Sequence, residues 1–239
     1  MSAWWLDEWA ALDLETTGLD VETDRIVTAA LARVLRGVPV ETRTWLADAG
    51  QKDIPLEAVK VHGITSKVAH RHGRPVDEVV GALARELAEL PYENIPLVVA
   101  NAPFDLTLLT REHERTGRSW PQGHHSHRIF VLDPLLLDWK LDQGRDGRRR
   151  LVDLCEHYDV VHAGPHRADA DAAAAAAVTY QIVSQYPELR QMSLAEVHER
   201  QVGWAVERAA ARQRRLRKND PTAVVDGRWP LIPRQEVAR

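Results

Sequence analysis

The chain has 239 residues, 44% of them apolar and 28% charged, with a net charge of −4 and one cysteine, Cys155. That composition suits a globular protein with one good core and an extension, or at most two small domains. A single cysteine excludes an internal disulfide, no stretch approaches the ~20 apolar residues that span a bilayer, and the N-terminus has no signal-peptide pattern, so a cytoplasmic protein without a membrane partner is expected.

The first element is the apolar run around Ala10-Ala-Leu-Asp13-Leu-Glu15, which breaks at Thr17-Gly18. Read as a strand, it points Asp13 and Glu15 to the same face. Residues 25–36 read as a second strand, Gly37 and Pro39 as a turn, and 40–46 as an antiparallel partner. Residues 47–75 look irregular. A helix is expected over 76–90, with Val79, Val80, Leu83, Leu87 and Leu90 on one face and Pro91 as its stop.

The short apolar run 95–100 suits a buried strand. Pro103 then fits the first turn of a helix reaching about Thr116. Residues 117–128 form a polar loop containing His124, His125 and His127. With no cysteine partner and no helical spacing, this trio reads as a solvated loop rather than a zinc site. Another inner strand is expected over 129–133, then a basic linker over 140–150. A helix around 151–158 carries Cys155 as a small buried hydrophobe. After the Gly164-Pro165-His166 turn, the alanine-rich segment 169–186 reads as a helix able to pack closely on a sheet. A last helix is expected from Ser193 to about Asn219, burying Leu194, Val197 and Trp204, followed by an extended tail.

Two like charges at the end of an apolar strand are costly unless a cation lies between them, and hard divalent ions favour such oxygen ligands. Alone, a D-x-E pair is as readily the wet face of a half-buried strand. Three further residues change the balance. Asp105 stands at the start of a helix just beyond a buried strand, where the helix dipole favours its charge. Asp171 lies in the first turn of the alanine-rich helix, and His166 five residues earlier on the preceding loop. Asp13, Glu15, Asp105 and Asp171 can therefore converge on two divalent ions, Mg²⁺ or Mn²⁺, with His166 suited to act as a general base.

Asp13-x-Glu15-Thr16-Thr17-Gly18, Asn101-x-x-Phe104-Asp105 and His166-x-Ala168-x-x-Asp171 resemble, in order, the three motifs of the DEDDh 3′–5′ exonucleases. That family includes the proofreading epsilon subunit of bacterial DNA polymerase III and ribonuclease T. Its His-Gly-Ile-Thr segment also appears, at 62–65. The resemblance spans about residues 8–186 and implies a ribonuclease H-like α/β fold, a five-stranded mixed sheet flanked by helices. It implies a metal-dependent enzyme releasing nucleotides from the 3′ end of single-stranded DNA, with RNA trimming or a non-catalytic polymerase-docking module as alternatives. It selects Asp171 over Asp169 as the metal carboxylate. Thr16, Thr17, Asn101 and Phe104 would contact the substrate, turn and core packing being the alternative for the threonines and Phe104. Many relatives carry histidine before the motif asparagine, where this chain has Ala100, so altered substrate contacts are expected.

The expected division is an exonuclease domain over 1–190 and a C-terminal helix and tail over 191–239. Gln191-Met-Ser-Leu-Ala loosely resembles a sliding-clamp-binding peptide, which would make a clamp or polymerase a partner. Ser193-x-x-Glu196 reads better as a helix capping box. The basic residues of 208–218 are expected to hold the strand upstream of the cleaved end.

Overall fold

Ala10, Ala11 and Leu12 are wholly buried because their strand, β1 (Glu8–Thr16), runs through the middle of the sheet. The computed structural model describes residues 3–50, 52–117 and 129–234, so the loop bearing His124, His125 and His127 lies outside the described residues. β1 pairs antiparallel with β2 (Ile26–Leu35), which pairs antiparallel with β3 (Val38–Asp48). On its other side, β1 runs parallel to β5 (Leu97–Val98), and β5 parallel to β6 (Val131–Leu132). These are the five expected strands. A sixth, β4 (Arg74–Pro75), adds two residues alongside β3, giving the order β4-β3-β2-β1-β5-β6.

Residues 47–75, expected to be irregular, contain two seven-residue helices, α1 (Leu56–His62) and α2 (Ser66–His72). Gly63 closes α1 with a left-handed backbone (φ 78), and the Thr65 hydroxyl caps α2 by accepting from the Val68 N–H. The His62–Thr65 segment is thus the joint between two helices. α3 (Val76–Glu93) passes through Pro91 instead of stopping there. It ends at Asn94, whose left-handed backbone (φ 56) returns its N–H to the last-turn carbonyls. α4 (Ala102–Arg115) follows β5, and α5 (Pro134–Leu141), not anticipated, follows β6 with Asp133 as its N-cap.

α6 (Leu151–His157) buries Cys155, whose thiol pKa desolvation raises to about 11. α7 (Ala168–Gln185) lies across β1, β2 and β3, and its Tyr180 ring meets that of Trp9 with centroids 6.0 Å apart. Ala172, Ala175 and Ala176 allow this close approach. After a short helix, α8 (Pro187–Gln191), α9 (Leu194–Leu216) stops three residues before the expected Asn219. Leu194, Val197 and Trp204 are buried as anticipated.

α9 also buries His198 and Gln201, and the reason is the sheet edge. β6 would otherwise leave backbone groups unpaired inside the protein. The Val131 N–H donates to His198 Nδ1 (2.9 Å) and the Asp133 N–H to Gln201 Oε1 (2.8 Å), while Gln201 Nε2 donates to the Val131 carbonyl (2.9 Å). The tail then folds back over α4, where the Ile232 N–H donates to Thr107 Oγ1 (3.0 Å) and Arg111 donates to the Ile232 carbonyl. No helix among the described residues is long and apolar enough to cross a membrane.

Candidate active site

The three parallel strands end together, and the first two deliver acids to one cleft. Asp13 and Glu15 leave the C-terminal half of β1 on the face that also carries Trp9, with a register shift between Glu15 and Thr16 that turns the chain out of the ladder. Asp171, in the first turn of α7, meets them from above: one oxygen from each of Asp13, Glu15 and Asp171 lies within 4.8 Å of the others. Asp105, on α4, stands beside this trio. Its Oδ1 accepts the Leu14 N–H at 3.1 Å, fixing the α4 N-terminus to β1 between the two motif acids. Asp169 turns instead to Arg167, 2.7 Å away.

This crowding is electrostatically unfavourable without a cation. Burial, followed by repulsion from Asp105, Asp171 and Glu15, drives the Asp13 pKa well above the usual carboxylate range. Asp105 is raised mainly by burial, against the opposing effect of its backbone hydrogen bonds. Glu15 is pushed to about 7 by burial and by Asp171. A set of oxygen donors that resists ionising together matches what a hard divalent ion offers in return. The residues present therefore fit a divalent metal centre.

Asp171 is held from both sides. The His166 N–H donates to its Oδ2 at 2.9 Å, and His162 Nε2 hydrogen-bonds its Oδ1. The His162 side chain is 8% exposed. His162 carries no motif signal beyond sharing a loop with His166, so the sequence did not reveal it. His166 itself is exposed and adopts a left-handed backbone (φ 67) that turns its N–H to Asp171. His62 lies behind it, near the Thr16 backbone. Its Nδ1 accepts the Ile64 N–H (3.1 Å), and burial lowers its pKa, which favours the neutral ring.

Each motif turn has an internal support. Thr17 is 1% exposed; its hydroxyl donates to Asp24 Oδ1 (2.7 Å) and accepts the Arg25 N–H (3.0 Å). The Thr16 hydroxyl donates to the Gly18 carbonyl at 2.6 Å. Both threonine hydroxyls therefore make hydrogen bonds within the turn. Gly18 is required there because a Cβ would lie 2.5 Å from the Asp24 carboxylate. In the second motif, Asn101 takes the left-handed backbone (φ 64) that asparagine tolerates. Asp133 accepts the N–H groups of Asn101 and Ala102, each at 3.2 Å. Asn101 is exposed and its side chain makes no cap, while Phe104 is half-buried beside it. Leu19, 88% exposed at the same rim, is an apolar residue that carries no motif signal of its own.

Carboxylates at the ends of parallel strands, met by an acid on a helix crossing the sheet, define a ribonuclease H-like nuclease fold. The exonuclease family model (RNase T) matches residues 10–179, and the chain belongs to that family. It is 26% identical over 196 residues to the 3′–5′ exonuclease DinG of Bacillus subtilis, covering 80% of this chain and 20% of that protein. It is 25% identical over 204 residues to DNA polymerase III subunit epsilon of Rickettsia prowazekii, covering 80% of this chain and 85% of that one. Among solved structures, E. coli exonuclease I in complex with a dT13 oligonucleotide superimposes with a TM-score of 0.66 at 20% identity, over 77% of this chain and 43% of that chain. The chain thus spans about a fifth of the Bacillus relative and less than half of exonuclease I.

Proposed function

We propose that the protein is a metal-dependent 3′–5′ exonuclease of the cytoplasm that shortens single-stranded DNA from its 3′ end. The observation that carries this reading is the convergence of Asp13, Glu15 and Asp171 oxygens within 4.8 Å, with Asp105 bonded to the intervening Leu14 backbone. In this reading Asp13, Glu15, Asp105 and Asp171 hold two Mg²⁺ or Mn²⁺ ions. Such ions, when bound, acidify a water and neutralise the charge of the scissile phosphate.

The chain's own groups supply the rest. His166 takes the proton of the attacking water, its exposed ring being free to reach solvent and substrate. His162 and the His166 backbone orient Asp171, and Asp133 fixes the turn from which Asn101 and Phe104 face the terminal nucleotide. Phe104 and Leu19 offer apolar surface to its base, and Asn101 offers an amide to its sugar or phosphate. The presence of all five motif residues favours an enzyme over a docking module. Ser193 and Glu196 form the reciprocal capping box, and the Met192 carbonyl accepts from Trp4 Nε1 (2.9 Å). A segment so committed favours the capping reading over a clamp-binding peptide. A polymerase contact, suggested by the name of the Rickettsia relative, would use another surface.

The test of the substrate reading is hydrolysis of single strands of matched sequence in Mg²⁺. DNA is expected to be degraded faster than RNA. Equal or faster hydrolysis of the RNA would assign the enzyme to RNA trimming, where 2′-hydroxyl contacts count.

A further inference from the structure

α9 carries one continuous stripe. Leu194, Val197, Gln201 and Trp204 fall within roughly 80° of one another around the helix, and Arg208, Arg212 and Arg215 continue the same stripe. Its first half is buried against β6. Its second half leaves the sheet edge and lines an open groove, with Arg208 half-buried and Arg212 and Arg215 exposed along it.

These arginines face a groove of about 1020 Å³. Leu19, Asn101 and Phe104, the rim of the active-site cleft, line one part of it, residues 147–150 another, and the returning tail at 225–229 a third. The groove is continuous with the proposed seat of the terminal nucleotide. Most other cations around it are already paired: Arg149 with Asp138, Arg150 with Asp153, and Arg228 with Asp226. Among the described residues, no carboxylate lies within 4.0 Å of Arg208, Arg212 or Arg215. Arg208 is half-buried: burial disfavours its charge, Asp133 favours it, and Arg212 and Arg149 press against it. Asp133 is itself engaged by three backbone N–H groups. A long open groove lined by three guanidinium groups that form no direct ion pair with a described carboxylate suits a polyanion that can lie along it, and guanidinium is well matched to phosphate.

We propose that this groove carries the single strand upstream of the 3′-terminal nucleotide, with Arg208, Arg212 and Arg215 taking its phosphates. The inference rests on the exonuclease reading, and the test separates the two. A 5′-labelled 15-mer of thymidylate is titrated by anisotropy in EDTA, where hydrolysis is halted, across a range of salt concentrations. In Mg²⁺, kcat/KM is measured for the 15-mer and for a trimer.

Removing one arginine–phosphate pairing should flatten the slope of log K against log salt by about 0.7, so Arg208→Gln/Arg212→Gln/Arg215→Gln should flatten it by about 2. The 15-mer to trimer ratio of kcat/KM should fall about tenfold or more. Arg212→Gln/Arg215→Gln, confined to exposed side chains, should flatten the slope by about 1.4 and decides the matter if the triple variant misfolds. A folded double variant with unchanged slope and unchanged ratio, in a protein whose wild type degrades DNA, overturns the groove alone. A wild type that neither binds nor degrades any strand overturns both readings.

Discussion

Replacing Asp13 with alanine should lower the rate of hydrolysis by roughly 10³-fold or more, since the proposed site would lose a ligand shared by its two ions. The same substitution should make the metal-free protein more stable at alkaline pH. Asp13 combines burial with repulsion from Asp105, Asp171 and Glu15, so its ionisation opposes folding unless a cation is bound. The sign follows from proton counts. Glu15 has a folded pKa of about 7 against an ordinary value of 4.5, and Asp13 is raised as well. Over the range in which these raised groups titrate, the folded state binds more protons than the unfolded state, so this cluster's contribution to stability falls as pH climbs through about 7, the folded value of Glu15. In EDTA, the melting temperature of Asp13→Ala should therefore gain on the wild type from pH 5 to pH 8. Added Mg²⁺ should raise the wild type's melting temperature at pH 8 more than the variant's. A folded Asp13→Ala protein with near-normal turnover would place the chemistry elsewhere. A wild type that gains on the variant with rising pH in EDTA would show that the carboxylates do not repel as described.

The second large effect is expected at His166. If His166 is the base, as proposed, its loss should lower kcat by roughly 10²–10⁴-fold. Metal affinity should change little, because only the backbone N–H of His166 contacts Asp171, and any residue but proline keeps it. The left-handed backbone at this position makes His166→Asn the better replacement, since asparagine tolerates that conformation and alanine does so less readily. Kinetics alongside a divalent-ion titration separate the roles. A variant whose rate recovers at high Mg²⁺ would make His166 part of the metal site rather than the base.

The clustered acids were legible because the chemistry proposed for them requires particular residue types at fixed spacings within strongly patterned elements. Asp13 and Glu15 interrupt an apolar strand, and Asp105 and Asp171 open helices. The supporting layer was not legible. His162, Asp133 and Leu19 matter because of what tertiary folding brings beside them, and nothing in their local sequence shows it. The two strands read over 95–100 and 129–133 pair over only two residues each, because an apolar run reports burial rather than ladder bonds. α1 and α2 span barely two turns apiece, too short for a periodicity to emerge, and the eight residues of α5, Asp138 and Lys140 among them, show no single apolar face. Pro91 falls in the last turn of α3, and the helix runs only two residues past it before ending on Asn94. The polar pair His198 and Gln201 is buried by the need to close the β6 edge, which the pattern of α9 alone does not contain.

Polarity and metal dependence together define the proposed reaction, and one assay measures both. A single-stranded DNA oligonucleotide labelled at its 5′ end is incubated with the protein in Mg²⁺ and sampled from the earliest times, beside a parallel reaction in EDTA. The expected result is a ladder shortening one nucleotide at a time from full length, with the label retained on the longest products first, and no reaction in EDTA. Immediate release of the labelled 5′ nucleotide, cuts at internal positions, or a ladder that persists in EDTA would contradict it.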